Sequence, residues 1–244
     1  MNRYLLNSLI IFLFTGITQA ENYLNLDAYQ PTTDWQFVAS AALDPEQPNT
    51  LILTDGQPHL LNNGPTKNLE AGYLITQKKF ADHEVHVEFM IPKGSNSGFY
   101  LMGRYEIQVL DSHGATRLFA GHMGGLYARW DPSRKKDNKS ASYDGKPPRV
   151  NAAKPHGQWQ QLTIKFRAPR FNSNGKKIAH AHFIEVILNG QTVQKNIDAT
   201  GPTRSHPLQG EAAKGPLAIQ GDHGPIVIRK LEIIDRDFSP SPSP

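Results

Sequence analysis

Hydrophobic and polar residues alternate along most of the chain after residue 50, and glycine, proline and asparagine interrupt the alternation. This period of two is typical of half-buried β-strands, and apolar residues at helical spacing are hard to find. The sequence therefore predicts an all-β protein built as a sandwich or barrel. The predicted strands cover residues 50–54, 59–61, 73–76, 84–91, 99–110, 124–127, 159–168, 181–188, 191–196, 216–220 and 226–234.

Two of these strands are apolar on one face and polar on the other. In 84–91 the apolar residues are Val85, Val87, Phe89 and Ile91, and the polar ones are Glu84, His86 and Glu88. In 99–110 the apolar face holds Phe99, Leu101, Tyr105, Ile107 and Val109, and the other face holds Tyr100, Met102, Arg104, Glu106 and Gln108. The polar residues 93–98 between the strands favour a hairpin. That hairpin would place both polar faces on one surface.

The ends of the chain differ in composition from the rest. In residues 1–20, Arg3 is the only charged residue, an apolar run follows it, and Ala20 closes a short segment of small residues. This is the pattern of a secretory signal peptide, with an N-terminal membrane anchor as the alternative. We expect residues 1–20 to be the signal, 21–238 one domain and 239–244 a disordered tail. Because the chain has no cysteine, we expect a bacterial periplasmic or extracellular protein without a stable membrane anchor.

Charge and motifs narrow the class of function. The formal net charge is only +4 and the basic residues are dispersed, so we expect no nucleic-acid partner. The sequence contains no zincin, Walker or Rossmann motif, and no Gly-x-Ser-x-Gly elbow. No cofactor is therefore indicated by a motif.

Polar side chains that suit a sugar are concentrated on the 99–110 strand. Arg104, Glu106 and Gln108 can form several charge-assisted hydrogen bonds with hydroxyl groups, and Tyr100 can stack on a sugar ring. We expect Arg104 to keep the neighbouring Glu106 carboxylate ionised. His223, in a glycine-rich turn that begins at Gln220, either faces the same site or caps backbone groups.

The polar face of strand 84–91 allows two interpretations. It is either a solvated outer face or part of a divalent-metal site. In the second case, oxygen and nitrogen ligands would come from Glu84, His86, Glu88, Glu106 and Asp111.

Several segments resemble the 3-keto-disaccharide hydrolase family, and they occur in the family's order. They are 74–82, 84–89, 96–111, the Asn-Ala-x-Lys-Pro-x-Gly-x-Trp run at 151–159, and 167–171, 188–190, 201–203 and 215–224. The resemblance extends over residues 74–234. It implies a concanavalin A-like jelly roll, in which two antiparallel sheets form a concave sugar-binding face. It also implies glycoside cleavage assisted by a ketone at C3 of the sugar.

The resemblance also implies roles for individual residues. The family motifs carry Arg104, Glu106, Gln108, Asp111 and His223. Our hypothesis is that Glu106 or His223 removes the C2 proton and that Arg104, or a metal, stabilises the enolate. We expect Gln108, Tyr100, Asp111, Glu88, His86 and Gln220 to bind the sugar.

Three other readings remain open from the sequence. Ordinary two-carboxylate hydrolysis would use Glu88 and Glu106 as its pair of acids. A carbohydrate-binding module would bind sugar without a base near the ring, and a structural domain would bind a partner instead. For the enzyme, the chemistry suggests a partner sugar oxidoreductase that makes the keto sugar.

Overall fold

The computed structural model describes residues 19–56, 60–62 and 72–239. All but the last two residues of the predicted signal peptide lie outside this part, as does the predicted tail after Ser239. Among the described residues, no helix combines the length and the hydropathy needed to cross a membrane.

Strands account for most of the regular structure in the described residues. The first nine are β1 (Glu21–Asn22), β2 (Gln36–Val38), β3 (Ser40–Leu43), β4 (Leu51–Thr54), β5 (Leu60–Asn62), β6 (Leu74–Ile75), β7 (His83–Met90), β8 (Asn96–Leu101) and β9 (Tyr105–Leu110). The others are β10 (Arg129–Trp130), β11 (Ser142–Tyr143), β12 (Gln160–Arg167), β13 (Arg170–Phe171), β14 (Lys177–Ala179), β15 (Ala181–Leu188), β16 (Gln191–Ala199), β17 (Ala218–Ile219) and β18 (Val227–Asp235). Two short 3-10 helices lie at Leu26–Ala28 and Pro132–Asp137.

Two antiparallel sheets form the body of the molecule. The larger has the order β16-β15-β12-β7-β18-β5-β2, with β1 also paired to β18. The smaller has the order β6-β17-β8-β9. The pairs β3-β4, β10-β11 and β13-β14 stand apart from both sheets. This arrangement, almost free of helix, confirms the predicted two-sheet antiparallel jelly roll.

Aromatic side chains join the two sheets across the core. The rings of Phe89 on β7 and Phe99 on β8 have centroids 5.7 Å apart, and those of Tyr105 on β9 and Phe166 on β12 are 5.6 Å apart. All five residues of the predicted apolar face of 99–110 are fully buried. The alternation therefore identified which face of this segment packs into the core.

The tight turn predicted at Asn189-Gly190 is also present. Both residues have positive φ, 50° and 81°, and they join β15 to β16. Only glycine and, less often, asparagine adopt this backbone conformation at low cost, which explains why the dipeptide was an effective signal.

The segment 99–110 is not one strand, as predicted, but most of a hairpin. The chain reverses at Met102 and Gly103, which have φ of 57° and 66°, and β8 then pairs with β9. Leu101 and Tyr105 lie opposite each other and both face the core. Because the three intervening residues preserve the alternation, the pattern could not reveal the turn.

The hairpin predicted between 84–91 and 99–110 is also wrong. β7 lies between β12 and β18 in the larger sheet, whereas β8 belongs to the smaller sheet. The segment after β7 therefore crosses between the layers. Glu84, His86 and Glu88 lie on a different sheet from Glu106 and Gln108, so the two polar faces do not form one surface.

Candidate functional site

A cavity of about 270 Å³ lies on the face of the smaller sheet that points away from the core. Its floor is formed by four residues of the β8–β9 hairpin, Asn96, Tyr100, Glu106 and Gln108. Loop residues complete the walls, namely Tyr127, Arg204, Ser205, Gln220 and His223. The cavity thus contains five of the predicted site residues: Tyr100, Glu106, Gln108, Gln220 and His223.

Two long loops form hydrogen bonds with β9 and thereby cover this face of the sheet. Residues after Asp111 return along the strand, where Gln108 N–H donates to Gly125 O at 2.9 Å and Tyr127 N–H donates to Glu106 O at 3.0 Å. From another loop, the Thr203 hydroxyl accepts the N–H of Glu106 at 3.2 Å. These bonds turn an outer sheet face into the floor of a pocket.

Glu106 is the buried carboxyl group of this floor, with 1% of its surface exposed. Burial raises its pKa from 4.5 to about 8, a hydrogen bond from the Tyr100 hydroxyl lowers it by less, and the charge of Asp222 raises it. The expectation that Arg104 would keep this carboxyl ionised is therefore wrong. A pKa near 8 favours the protonated form of this carboxyl group at neutral pH.

Three buried acceptor atoms in the cavity have no hydrogen-bond partner among the described residues. They are Glu106 Oε2, Gln108 Oε1 and Gln220 Oε1. The amide nitrogen of Gln108 is occupied, since it donates to Asn96 Oδ1 at 2.5 Å. Unpaired buried acceptors cost free energy unless a ligand satisfies them. Sugar hydroxyls would donate to the amide oxygens of Gln108 and Gln220, and a hydroxyl can bond to the Glu106 carboxyl group in either protonation state.

His223 stands at the mouth of the cavity, with about 54% of its side chain exposed. Its Nδ1 lies 2.6 Å from Asp222 Oδ1 and 3.3 Å from Gln220 Nε2. A carboxylate at Nδ1 fixes the ring and leaves Nε2 for a proton transfer. Of the two readings of this turn, the structure favours the histidine that faces the site.

Arg104 does not line the cavity, contrary to the prediction. Its guanidinium donates to three backbone oxygens, those of Met102 at 2.7 Å, Gln209 at 3.1 Å and Gly210. The turn at residues 102–104 removes Arg104 from the polar face that Glu106 and Gln108 share. Its role in the described structure is to hold the loop around residues 209–210.

Arg204 is the arginine that the structure does place in the cavity. Its guanidinium lies over the Trp130 ring, 4.2 Å from the centroid. Its main-chain N–H donates to Ala128 O at 2.8 Å. No ion pair to a carboxylate occupies this side chain among the described residues. Like Asn96, Tyr127 and Ser205, it was missed because it lies outside the strand predicted over residues 99–110.

Three predicted sugar-binding residues lie elsewhere. On the larger sheet, Glu88 Oε2 accepts from Arg229 Nε at 2.6 Å, and His86 Nδ1 lies 3.1 Å from Thr163 Oγ1. Asp111 accepts the N–H of Gly94 at 3.0 Å and so braces the turn before β8. The structure therefore contradicts the predictions that Glu88, His86 and Asp111 lie at the site. Glu88 and His86 were assigned to it through the wrong hairpin, and Asp111 through its place on a family motif.

The metal site and the pair of catalytic carboxylates suggested by the sequence are also contradicted, because their residues lie on different sheets. Glu84 contacts His86 Nε2 at 3.1 Å and Arg236 at 2.9 Å on the larger sheet, away from Glu106. In the part of the chain that is described, histidine, aspartate and glutamate form no group of three or more that could hold a metal ion. Glu88 and Glu106, on different sheets, do not flank one sugar.

Two crystal structures from Parabacteroides distasonis ATCC 8503, both provisionally named glycosyl hydrolases, are similar in fold. The first is 24% identical, with 89% of this chain and 84% of that one covered and a TM-score of 0.59. The second is 18% identical, with 83% and 99% covered and a TM-score of 0.50. At these identities the likeness concerns the fold alone. None of the curated proteins matches the chain.

The sequence itself provides a more specific comparison. The model of one protein family, the 3-keto-alpha-glucoside-1,2-lyase-like domain, matches residues 23–234. This range includes every residue of the cavity and both sheets except β1 and the last residue of β18. The chain therefore belongs to the family of 3-keto-alpha-glucoside-1,2-lyase-like domains, as its resemblance to 3-keto-disaccharide hydrolases indicated.

Proposed function

We propose that this protein cleaves 3-keto-glycosides by elimination across C1 and C2 of the sugar, followed by addition of water. The observation that carries the proposal is Glu106. It is a buried carboxyl group with a raised pKa and an unpartnered oxygen on the floor of a polar pocket. A carboxylate with a pKa near 8 is a far stronger base than an exposed one.

The ketone at C3 makes the C2 hydrogen acidic, which allows a carboxylate to remove it. Glu106 takes the proton, and the electron pair of the C–H bond forms an enolate with the C3 oxygen. The enolate collapses to a C1=C2 double bond as the C1–O bond breaks, and the leaving oxygen takes a proton. Water then adds at C1 and a proton returns to C2. The net reaction consumes one water and yields a 3-keto sugar and an alcohol.

The other cavity residues supply the remaining groups. Arg204 offers a positive charge for the enolate oxygen, in the role first suggested for Arg104. His223, held by Asp222, offers a proton for the leaving oxygen. The free amide oxygens of Gln108 and Gln220 accept hydrogen bonds from sugar hydroxyls and so orient the ring.

A carbohydrate-binding module is the second candidate. The three unpartnered acceptors would suit an unmodified sugar as well as a keto sugar. A binding module would make no use of the raised pKa of Glu106, whereas the proposed enzyme uses it to remove a proton. We therefore favour the enzyme. The two candidates differ in whether the bound sugar is cleaved.

The test is incubation of the purified protein with 3-keto-trehalose or a 3-keto-aryl-glucoside, with release of sugar or aglycone as the readout. We expect release, and exchange of the C2 hydrogen with deuterium in heavy water. Glu106→Gln should abolish both signals, and Glu88→Gln, the matched control on the other sheet, should change neither. Sugar binding in calorimetry without release would establish the binding module instead.

We also propose that the protein is exported and acts on a sugar that an oxidoreductase has oxidised at C3. The first part rests on the composition of residues 1–20, and the second on the ketone that the chemistry requires. Expression of the full chain in a bacterium tests export, since the exported protein should begin near Glu21. A cytoplasmic protein that retains Met1 would contradict it.

A further inference from the structure

The long loop that covers the outer face of the smaller sheet carries an excess of positive charge. Residues 112–150 contain eight lysines and arginines but only three aspartates, which gives a net charge of +5, whereas the whole chain has +4. Basic residues also occur elsewhere in the chain, but there acidic residues balance them. The positive field around the protein therefore originates mainly from this loop.

Much of this charge lies on a two-stranded ribbon, residues 129–144, beside the cavity. β10 and β11 pair antiparallel, and the 3-10 helix at Pro132–Asp137 forms the tip between them. The ribbon adjoins the cavity because Arg204, which lines the cavity, also lies over the Trp130 ring. The tip begins two residues after Trp130. At roughly 3.5 Å for each residue, the whole tip lies within about 25 Å of Trp130.

Aromatic rings of the ribbon support arginine side chains. The Arg134 guanidinium lies 4.2 Å from the centroid of the Tyr143 ring, and that of Arg204 lies 4.2 Å from the centroid of the Trp130 ring. A guanidinium held over a ring keeps N–H groups at its edge, where they can bind a carboxylate with two hydrogen bonds. Trp130 is also 43% exposed, so it offers apolar surface to the C–H face of a sugar.

The acidic residues of the ribbon do not neutralise these cations. Asp131 caps the 3-10 helix, and Asp137 and Asp144 lie 4.0 and 3.8 Å from Lys139 and Arg129. The cations that form no ion pair among the described residues are Arg134, Lys135, Lys136 and Arg204. The ribbon thus combines free positive charges with aromatic rings that hold two of them in place.

We propose that the ribbon is a docking surface for an acidic polysaccharide whose sugars carry carboxylate groups. The charge of the ribbon attracts the polymer, Arg134 and Arg204 pair with its carboxylates, and Trp130 packs against its rings. A carboxylated sugar matches both kinds of surface, and the adjoining cavity has free acceptors that suit its hydroxyl groups. The inference goes beyond the proposed function and does not depend on it, because docking involves no ketone and no cleavage.

Binding of the purified protein to polygalacturonate tests the docking surface, with neutral dextran as the uncharged control. We expect only polygalacturonate to bind, with an affinity that falls as salt is added, because salt screens exposed charges. Lys135→Gln combined with Lys136→Gln should weaken binding about tenfold. Lys79→Gln combined with Lys195→Gln removes the same charge at exposed positions outside the loop and should leave the affinity unchanged.

Trp130→Ala provides an independent variant, because it removes the ring that supports Arg204 without changing the charge. It should weaken binding about threefold. The melting temperature of the Lys135/Lys136 variant should equal that of the unmodified protein, since both side chains are exposed.

Three outcomes would overturn the proposal. In the first, polygalacturonate does not bind, or the ribbon variants bind it as tightly as the unmodified protein. In the second, the Lys79/Lys195 variant loses as much affinity as the Lys135/Lys136 variant, which would show a general attraction between charges. In the third, a single-stranded oligonucleotide binds to the ribbon as tightly as polygalacturonate, which would leave no preference for a polysaccharide. Since none of these measurements uses a keto sugar, each outcome leaves the proposed function as it stands.

Discussion

The carboxyl group of Glu106 lies against the Cα of Gly98, diagonally across the β8–β9 hairpin. A Cβ on residue 98 would be 2.8 Å from Glu106 Cδ and closer still to Oε1. Gly98 is paired with Gln108 and lies within a regular strand, so space and not backbone conformation requires glycine here. The glycine creates the room in which a carboxyl group can be buried on a sheet face.

Gly98→Ala should therefore reduce activity through Glu106. The alanine methyl group must push the carboxyl away from its place on the floor. A displacement of about 1 Å at a catalytic group can cost about 100-fold in rate. We expect a loss of this order in kcat/KM on a 3-keto-glucoside, together with a lower melting temperature. Unchanged kinetics in this variant would show that the position of Glu106 does not matter for catalysis.

The stability of the protein should depend on pH through Glu106. Its pKa is raised from 4.5 to about 8, so the folded protein keeps a proton that the unfolded chain releases between these values. The contribution to stability is fully present below about pH 4.5 and is lost as the pH rises through about 8. Glu106→Gln cannot lose a proton. Its melting temperature should match that of the unmodified protein near pH 4.5 and exceed it near pH 8, as thermal unfolding at both pH values would reveal.

The same pKa predicts the pH dependence of catalysis. A base must be ionised to act, so loss of the Glu106 proton should raise kcat/KM as the pH rises through about 8. The variant His223→Ala lacks the proposed proton donor, so its remaining kcat/KM should rise through about pH 8 and then level off, as initial rates on a 3-keto-aryl-glucoside between pH 5 and pH 10 would reveal. A rate in this variant that instead falls as the pH passes 8 would identify the protonated form of Glu106 as the active one, and hence a proton donor.

The two arginines of the region should respond differently to substitution. Removal of one donor to a developing oxyanion typically costs about 100- to 1,000-fold in kcat. We expect Arg204→Ala to lose activity on this scale with little change in melting temperature, since its side chain is exposed. Arg104→Ala should lower the melting temperature, because it leaves three carbonyl oxygens without their donor. Kinetics and thermal unfolding of both variants check this contrast, and an active, folded Arg204→Ala would contradict the enolate role.

An ion pair between a buried aspartate and a half-buried arginine, at one end of the larger sheet, should be important for stability. Asp82 is 3% exposed and accepts two hydrogen bonds from Arg170, at 2.6 and 2.7 Å, and one each from the N–H groups of Ala168 and Phe238. Because solvent still reaches Arg170, removal of Asp82 costs about 1–3 kcal/mol, chiefly through the donors that lose their acceptor. Asp82→Ala should therefore lower the free energy of unfolding by that amount, as measured in urea.

The pH dependence of this pair has the opposite sign to that of Glu106. Burial alone would raise the pKa of Asp82, but the hydrogen bonds from Arg170, Phe238 and Ala168 outweigh it and hold the pKa below 3.8. Its contribution is present above about pH 4 and is lost as the pH falls through the folded-state pKa. In Asp82→Ala the acid-induced loss of stability should be shallower, and an unchanged acid transition would contradict this account.

The local alternation of apolar and polar residues was sufficient to predict the class of fold and the faces of the strands that pack into the core. Burial of apolar surface on one side of a pleated strand imposes a period of two, and this period can be read without knowledge of the partner strand. It correctly assigned Phe99, Ile107 and Val109 to the core. The turn at Asn189-Gly190 was predictable because its backbone conformation restricts the residues that can form it. The family could also be recognised, since its motifs are short segments in a constant order.

Only the tertiary structure decided which polar residues meet. The alternation in strand 84–91 contains no information about the sheet to which the strand belongs, so Glu88 and His86 were assigned to the wrong surface. Nor could it show the reversal at Gly103 that separates Arg104 from Glu106. Arg204 reaches the cavity from a loop about 100 residues away along the chain, where Thr203 bonds to the main chain of Arg104 and Glu106. The core follows from a local periodicity, whereas the site depends on contacts between distant loops that no local pattern records.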